Sequence, residues 1–200
     1  DSRFAPAAME HPLERVYWDR VLACAARGDD AGLLKLVDAC AFALADARVP
    51  PCPGEPYGRR VLHATPRGEV MLATWRASGR CAPHDHGASR GRVVVLEGSF
   101  TETAFGWRGD ELAARGERAI AAGAVLRVEQ GLVHAMRCGS PGATLHVYTP
   151  RVDAMRVHDL DARETFVVAE SCGAWVPRDP ALVVRRWSWD EAVPPTARSA

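Results

Sequence analysis

Apolar residues recur at three- and four-residue spacing between His11 and Ala47: Leu13, Val16, Tyr17, Val21 and Leu22 in one run, then Leu33, Leu34, Val37, Ala41 and Leu44. That spacing lines one face of a helix. Gly28-Asp29-Asp30 divides the stretch, so the pattern predicts two or three short helices. The segment from Val49 to Pro56 is rich in proline and cannot continue them, because each proline removes a backbone donor and clashes with the preceding turn. From Tyr57 onward the period changes. Short β-branched or apolar runs, separated by glycine-bearing turns, occupy 69–76, 93–97, 99–105, 124–128, 132–137 and 143–149. Thr165 to Ala169 and Leu182 to Trp187 would add covering strands, and Pro194 to Arg198 reads as a frayed end.

Runs of this length and spacing predict a mostly β fold, an antiparallel barrel of the jelly-roll kind preceded by helices. The expected organisation is a helical segment over 1–56 packed on a barrel over 57–200, in a single domain. A chain of 200 residues with 48% hydrophobic content has enough apolar material for one such core. Twenty-five basic residues balance twenty-five acidic ones, so no global field recruits nucleic acid or an anionic membrane. The charged stretch Arg108 to Arg118 reads as a solvated hairpin. No apolar window reaches the roughly 20 residues of a spanning helix, and the opening residues lack the basic and apolar regions of a secretory signal. The expected location is the cytoplasm and the expected form a monomer or small homo-oligomer. Six cysteines are scattered with no CxxC pair, which favours free buried thiols over a disulfide framework or a zinc knuckle.

The strongest local signal is Pro83-His84-Asp85-His86-Gly87. In an extended segment residues i and i+2 share a face, so His84 and His86 present two imidazoles together while Asp85 points away. His134 lies in a second glycine-marked β-run, Gly131-Leu132-Val133-His134. Three neutral imidazoles with open positions suit zinc, copper, iron or nickel. Cys81, three residues before His84, is read as a buried thiol rather than a fourth ligand, and His11, His63 and His158 as structural or solvent-facing.

These residues resemble the two motifs of the cupins. His84-Asp85-His86 followed by Gly98 looks like the first, and Gly131 to His134 like the second. The glutamate ligand of the first motif would fall at Gly91, which implies three histidine ligands and no carboxylate. That departure resembles the thiol dioxygenases of the cysteine dioxygenase family. His84 to Gly87 and Leu96 to Thr103 are similar to its HDH…LxGxxxET segment, Thr144 to Pro150 to its SLHxYSP segment, and Tyr57-Gly58-Arg59 to its Tyr-x-Arg. With glycine at 91 the cysteine–tyrosine crosslink of the animal members cannot form. Thr144 stands where the family has serine.

The resemblance implies one iron(II) on His84, His86 and His134, with cysteine bound through sulfur and amine and one position left for dioxygen. Arg59, or its neighbour Arg60, would clamp the substrate carboxylate, with Tyr57 either adding a hydroxyl or serving as a core aromatic. Thr144, His146 and Tyr148 alternate along one strand and would form a hydrogen-bonded set that presents the Tyr148 phenol to oxygen or substrate. Trp75 is expected in the core or the cavity wall, and Met155 in packing. The expected partners are a small thiol and O2, with L-cysteine first. The alternatives are 3-mercaptopropionate or another mercapto acid, or a non-catalytic metal-binding cupin sensor, because one fold hosts many functions.

Overall fold

The computed structural model describes residues 12–190; His11 and the expected frayed end at Pro194 to Arg198 lie outside the described residues. The predicted split of the helices is where the chain breaks. Helix α1 (Pro12–Arg27) ends as the N–H groups of Gly28 and Asp29 return to the carbonyls of Ala25 and Cys24. The same Asp29 then opens α2 (Asp30–Ala39), its carboxylate accepting the Gly32 N–H at 2.8 Å. A third, six-residue helix, α3 (Ala41–Asp46), follows directly.

Ten strands come next: β1 (Tyr57–Thr65), β2 (Gly68–Trp75), β3 (His84–Asp85), β4 (Arg90–Arg108), β5 (Glu111–Ala121), β6 (Val125–Val128), β7 (Val133–Thr149), β8 (Arg156–Asp159), β9 (Glu164–Val168) and β10 (Val183–Ser188). One path of neighbours runs β1-β2-β7-β3-β8-β9-β10, while β4 pairs with β5, β6 and β7. All pairings are antiparallel. The fold is thus mostly β, a curled cupin barrel preceded by three helices, as the sequence pattern predicts.

The runs at 93–97 and 99–105, separate in sequence, are one strand. β4 continues through a series of register slips between Val95 and Phe100, with Gly98 at φ +91. These bulges bend the strand, so its first half pairs with β6 and its second with β5. The runs at 132–137 and 143–149 likewise join into β7, which pairs with β4 along its length. Two strands went unread in the sequence. β1 lies at the edge of the sheet with Arg60 and Val61 exposed, and β8 is only four residues long; neither shows a clean alternation. The stretch Arg108 to Arg118 is indeed a hairpin with mostly exposed residues.

β2 is buried on both faces, and the alternation sorts its side chains. Val70 and Leu72, with Val94, Leu145 and Val147, pack against Val21, Leu22, Leu33, Val37 and Leu44 of the helices. Met71, Ala73 and Trp75, with Val93, Val95 and Tyr148, face the barrel interior. An Arg92–Asp30 ion pair at 2.7 Å ties α2 to β4 at the rim of that layer.

Where β4 crosses β7 the backbones approach closely at Gly91, opposite Tyr148. A Cβ there would stand 2.2 Å from the Val147 carbonyl oxygen and 2.6 Å from Tyr148 Cδ1. Gly91→Ala is therefore expected to lower unfolding free energy by about 1–3 kcal/mol, the usual cost of forcing atoms into a packed site. A urea titration reads this directly, and an unchanged midpoint would mean the two strands separate freely here.

Candidate metal centre and cavity

Strand β3 is only two residues long and is held on both sides. His84 pairs with His134 of β7 and Val157 of β8, and Asp85 with Arg156. Direct pairing puts the His84 and His134 rings on one face, and His86 joins them two residues further on. The three ring centroids are 4.7 to 5.4 Å apart, and one nitrogen from each ring lies within 4.8 Å of the others. Asp85 points the other way, its carboxylate taking the Gly87 N–H at 2.9 Å and the Arg156 guanidinium at 2.8 Å.

The rings are oriented by what their outer nitrogens touch. His84 Nδ1 donates to the Ala82 carbonyl at 2.9 Å, which leaves the Nε2 lone pair free. His134 Nδ1 donates to Glu102 Oε1 at 2.8 Å, and its Nε2 is buried without a partner. Burial alone would raise the Glu102 pKa, but the bond from His134 and a 2.5 Å contact from Arg118 hold it below the ordinary value, so it remains an anionic acceptor. A carboxylate behind a histidine in this way fixes its tautomer and raises its basicity toward a metal. Glu102 was quoted in the sequence only as part of a longer segment; its role depends on a cross-strand contact that spacing along the chain does not reveal.

His86 differs from the other two, since its Nε2 meets the Tyr148 hydroxyl at 2.8 Å while its Nδ1 is buried without a partner. Behind Tyr148 runs a chain of hydrogen bonds. The Trp75 indole N–H, which can only donate, reaches Thr144 Oγ1 at 2.9 Å. Thr144 then gives its own proton to His146 Nε2 at 2.8 Å, so His146 carries its proton on Nδ1 and donates to Tyr148 Oη at 3.0 Å. The phenol proton is thereby directed at His86. Trp75, expected as core or wall, anchors the Thr144 hydroxyl, whose one acceptor among the described residues is His146.

Burial, reinforced by the neighbouring imidazoles, drives His84 down to about 3 and His86 well below its ordinary value; burial, then His134 and Arg59, takes His146 to about 3. These rings are neutral near pH 7, each keeping one N–H and one lone pair. The free Nε2 atoms of His84 and His134 fit a divalent transition metal, and His86 would present to it the Nε2 that here accepts from Tyr148. Cys81 is not among these donors; its thiol exchanges contacts with the Met136 backbone, and burial pushes it up to about 12.

The imidazoles of His84 and His86 open into a cavity of about 50 Å³. Glu69, Met71, His146 and Tyr148 form one wall, and Tyr57 and Arg59 of β1 another. Val152, Asp153, Met155 and the segment 168–174 close it. Arg59 lines this space and donates no hydrogen bond among the described residues, whereas Arg60 is exposed and reaches the Ala47 carbonyl at 3.3 Å. The alternation of β1 thus turns Arg59, and not Arg60, toward the cavity. The Tyr57 ring packs on Trp75 and Trp175 as a core aromatic, and its hydroxyl accepts the Ala174 N–H at 2.8 Å. Met155 both packs in the core and lines the cavity. His63 and His158 are buried away from the three histidines, His63 beside Asp19 and His158 on Thr165.

A curled double-stranded β barrel with three inward histidines defines a cupin with a candidate metal centre. A family profile described as cysteine dioxygenase type I matches residues 54–161, and the chain belongs to that family. Among solved structures, the chain is similar to a conserved protein with a double-stranded β-helix domain from Klebsiella pneumoniae, with 18% identity and TM-score 0.48 over 57% of this chain and 87% of that one. An RmlC-like cupin from Shewanella frigidimarina matches with 17% identity and TM-score 0.43 over 52% and 86%. TT1209 from Thermus thermophilus matches with 20% identity and TM-score 0.45 over 54% and 94%.

Two outcomes follow from this geometry. Glu102→Gln, which keeps the shape and removes the charge behind His134, is expected to lower divalent-metal affinity roughly ten- to hundred-fold, measured by competition with a chromophoric chelator. The metal-free protein should also lose stability as pH falls. Below the ordinary value of 6.5 the unfolded chain protonates His84, His86 and His146, while the folded protein keeps them neutral, His84 and His146 down to about 3. The unfolded state then binds more protons, so stability is fullest above that pH and declines below it. A urea midpoint that stayed constant from about pH 7 to pH 5 would show the rings to be hydrated in the folded state.

Proposed function

We propose that this chain is a mononuclear non-haem iron(II) thiol dioxygenase that adds both atoms of O2 to the sulfur of a small thiol, giving the sulfinic acid. L-cysteine is the first substrate. The observation that supports this reading best is a three-imidazole set with glycine, not a carboxylate, at position 91, facing the same cavity as a guanidinium with no hydrogen bond of its own.

Held by His84, His86 and His134, iron(II) would supply a Lewis-acidic, redox-active centre for the thiol and dioxygen. The remaining work belongs to the chain. Arg59 offers a planar, permanently charged fork that matches a carboxylate with two parallel hydrogen bonds, which sets the substrate's orientation. Tyr148 holds a proton at Oη beside His86, and burial keeps that phenol protonated by raising its pKa well above the ordinary value. His146, Thr144 and Trp75 fix the direction in which that proton points. The segment 168–174 covers the cavity and limits water, which strengthens every charge–charge contact inside. Both oxygen atoms end on sulfur, so the oxidation of sulfur balances the reduction of O2 and no other reductant enters.

Arg59 recognises a carboxylate and nothing more, so 3-mercaptopropionate or another mercapto acid is the second reading. All six cysteines are free, in keeping with a reducing cytoplasm.

Oxygen uptake by the iron(II)-reconstituted protein, with L-cysteine, 3-mercaptopropionate and mercaptosuccinate side by side and products read by mass, tests the proposal. The expected result is thiol-dependent uptake and a product heavier by two oxygen atoms, strongest with L-cysteine. Iron-loaded protein that consumes no oxygen with any thiol would overturn it.

A further inference from the structure

The cavity lining includes a buried acidic residue that the mechanism above does not use. Glu69 stands opposite Tyr148 in the β2–β7 register, so the two side chains share the inward face. It is only 4% exposed, and what it exposes faces the cavity beside the candidate metal centre. A buried carboxylate is costly unless donors surround it. Among the described residues the one side-chain donor Glu69 meets is a long contact from Arg151. Its ion-pair partner, Arg151, stands 3.7 Å away, beyond hydrogen-bond reach, and Arg151 turns Nη2 to Glu170 at 2.5 Å instead. Arg59 lies close enough for its charge to act on Glu69, yet no contact joins the two. The cavity therefore offers a guanidinium without an acceptor and a carboxylate without a close donor.

We infer that Glu69 is a specificity-determining residue that accepts N–H donors from the substrate, so that the site reads a thiol carrying both a carboxylate, at Arg59, and a nitrogen, at Glu69. The inference rests on the thiol dioxygenase reading and deepens it. A mercapto acid satisfies Arg59 and leaves Glu69 buried without a donor. A thiol with both groups satisfies each charge, whether its nitrogen arrives as an ammonium or as an amine that still bears hydrogens. Losing one charge-assisted hydrogen bond of this kind corresponds to roughly a ten- to hundred-fold effect on recognition.

The test measures kcat/KM for L-cysteine and 3-mercaptopropionate, and the affinity of both thiols for the iron-loaded protein by calorimetry without oxygen, in the wild type, Glu69→Gln and Arg59→Gln. In the wild type, L-cysteine should bind more tightly than 3-mercaptopropionate; equal affinities overturn the inference without any variant. Glu69→Gln should lower kcat/KM and affinity for L-cysteine about tenfold or more while changing those for 3-mercaptopropionate less than about threefold. Arg59→Gln should weaken both thiols together. A purely structural role, as a prop for Arg151, would instead lower both equally in Glu69→Gln, and that result overturns the assignment. Turnover of both thiols with an unchanged ratio overturns the role of Glu69 and leaves the dioxygenase reading standing. Absence of turnover, with cysteine-selective affinity lost in Glu69→Gln, overturns that reading and keeps the role.

Discussion

The centre depends on the pairing of β3 with β7. Two residues of strand are all that present His84, and they are held only because β7 on one side and β8 on the other complete their hydrogen bonds. β7 in turn is the strand that everything shares, since it pairs with β2, β3 and β4 and carries His134, Thr144, His146 and Tyr148 on one pleated face. A candidate metal ligand, most of a hydrogen-bonded series and part of the cavity wall thus come from a single 17-residue strand whose register is fixed by three partners. This is why side chains far apart in sequence meet to within hydrogen-bond distance.

Electrostatics follow from that placement. Burial keeps His84, His86 and His146 neutral and Tyr148 protonated, while Glu102 stays anionic because His134 and Arg118 both donate to it. The same low-dielectric surroundings that favour a metal on lone pairs make any unmatched charge expensive, so Arg59 and Glu69 gain their meaning only when a ligand fills the space between them. Orientation of the relay is equally a matter of chemistry: the Thr144 hydroxyl accepts from the Trp75 indole and has His146 as its acceptor among the described residues, and the tautomer of His146 follows.

Much of this was legible in the sequence. The i, i+2 spacing of His84 and His86 and the period-two series Thr144, His146, Tyr148 are local facts of strand geometry, and the helix break at Gly28-Asp29 is a local fact of capping. The separate runs on either side of Gly98 hid a continuous strand, because a bulge interrupts alternation without ending the ladder. Glu102, Trp75 and Glu69 were not legible as members of the site. Glu102 and Trp75 bond, and Glu69 pairs in register, with a residue more than 30 positions away, and no periodicity along one strand records which strand lies beside it.

No described residue of the helical layer lines the cavity, yet that layer bears on the chemistry there. Val70, Leu72, Val94, Leu145 and Val147 alternate with the inward residues and are pressed against α1 and α2. Sliding β2 or β7 by one position would turn Glu69, His146 and Tyr148 into that oily layer and drive valines toward the metal. The helices therefore act as a phase lock on the pleat: by refusing polar groups on their own side, they keep the imidazoles and the phenol on the other.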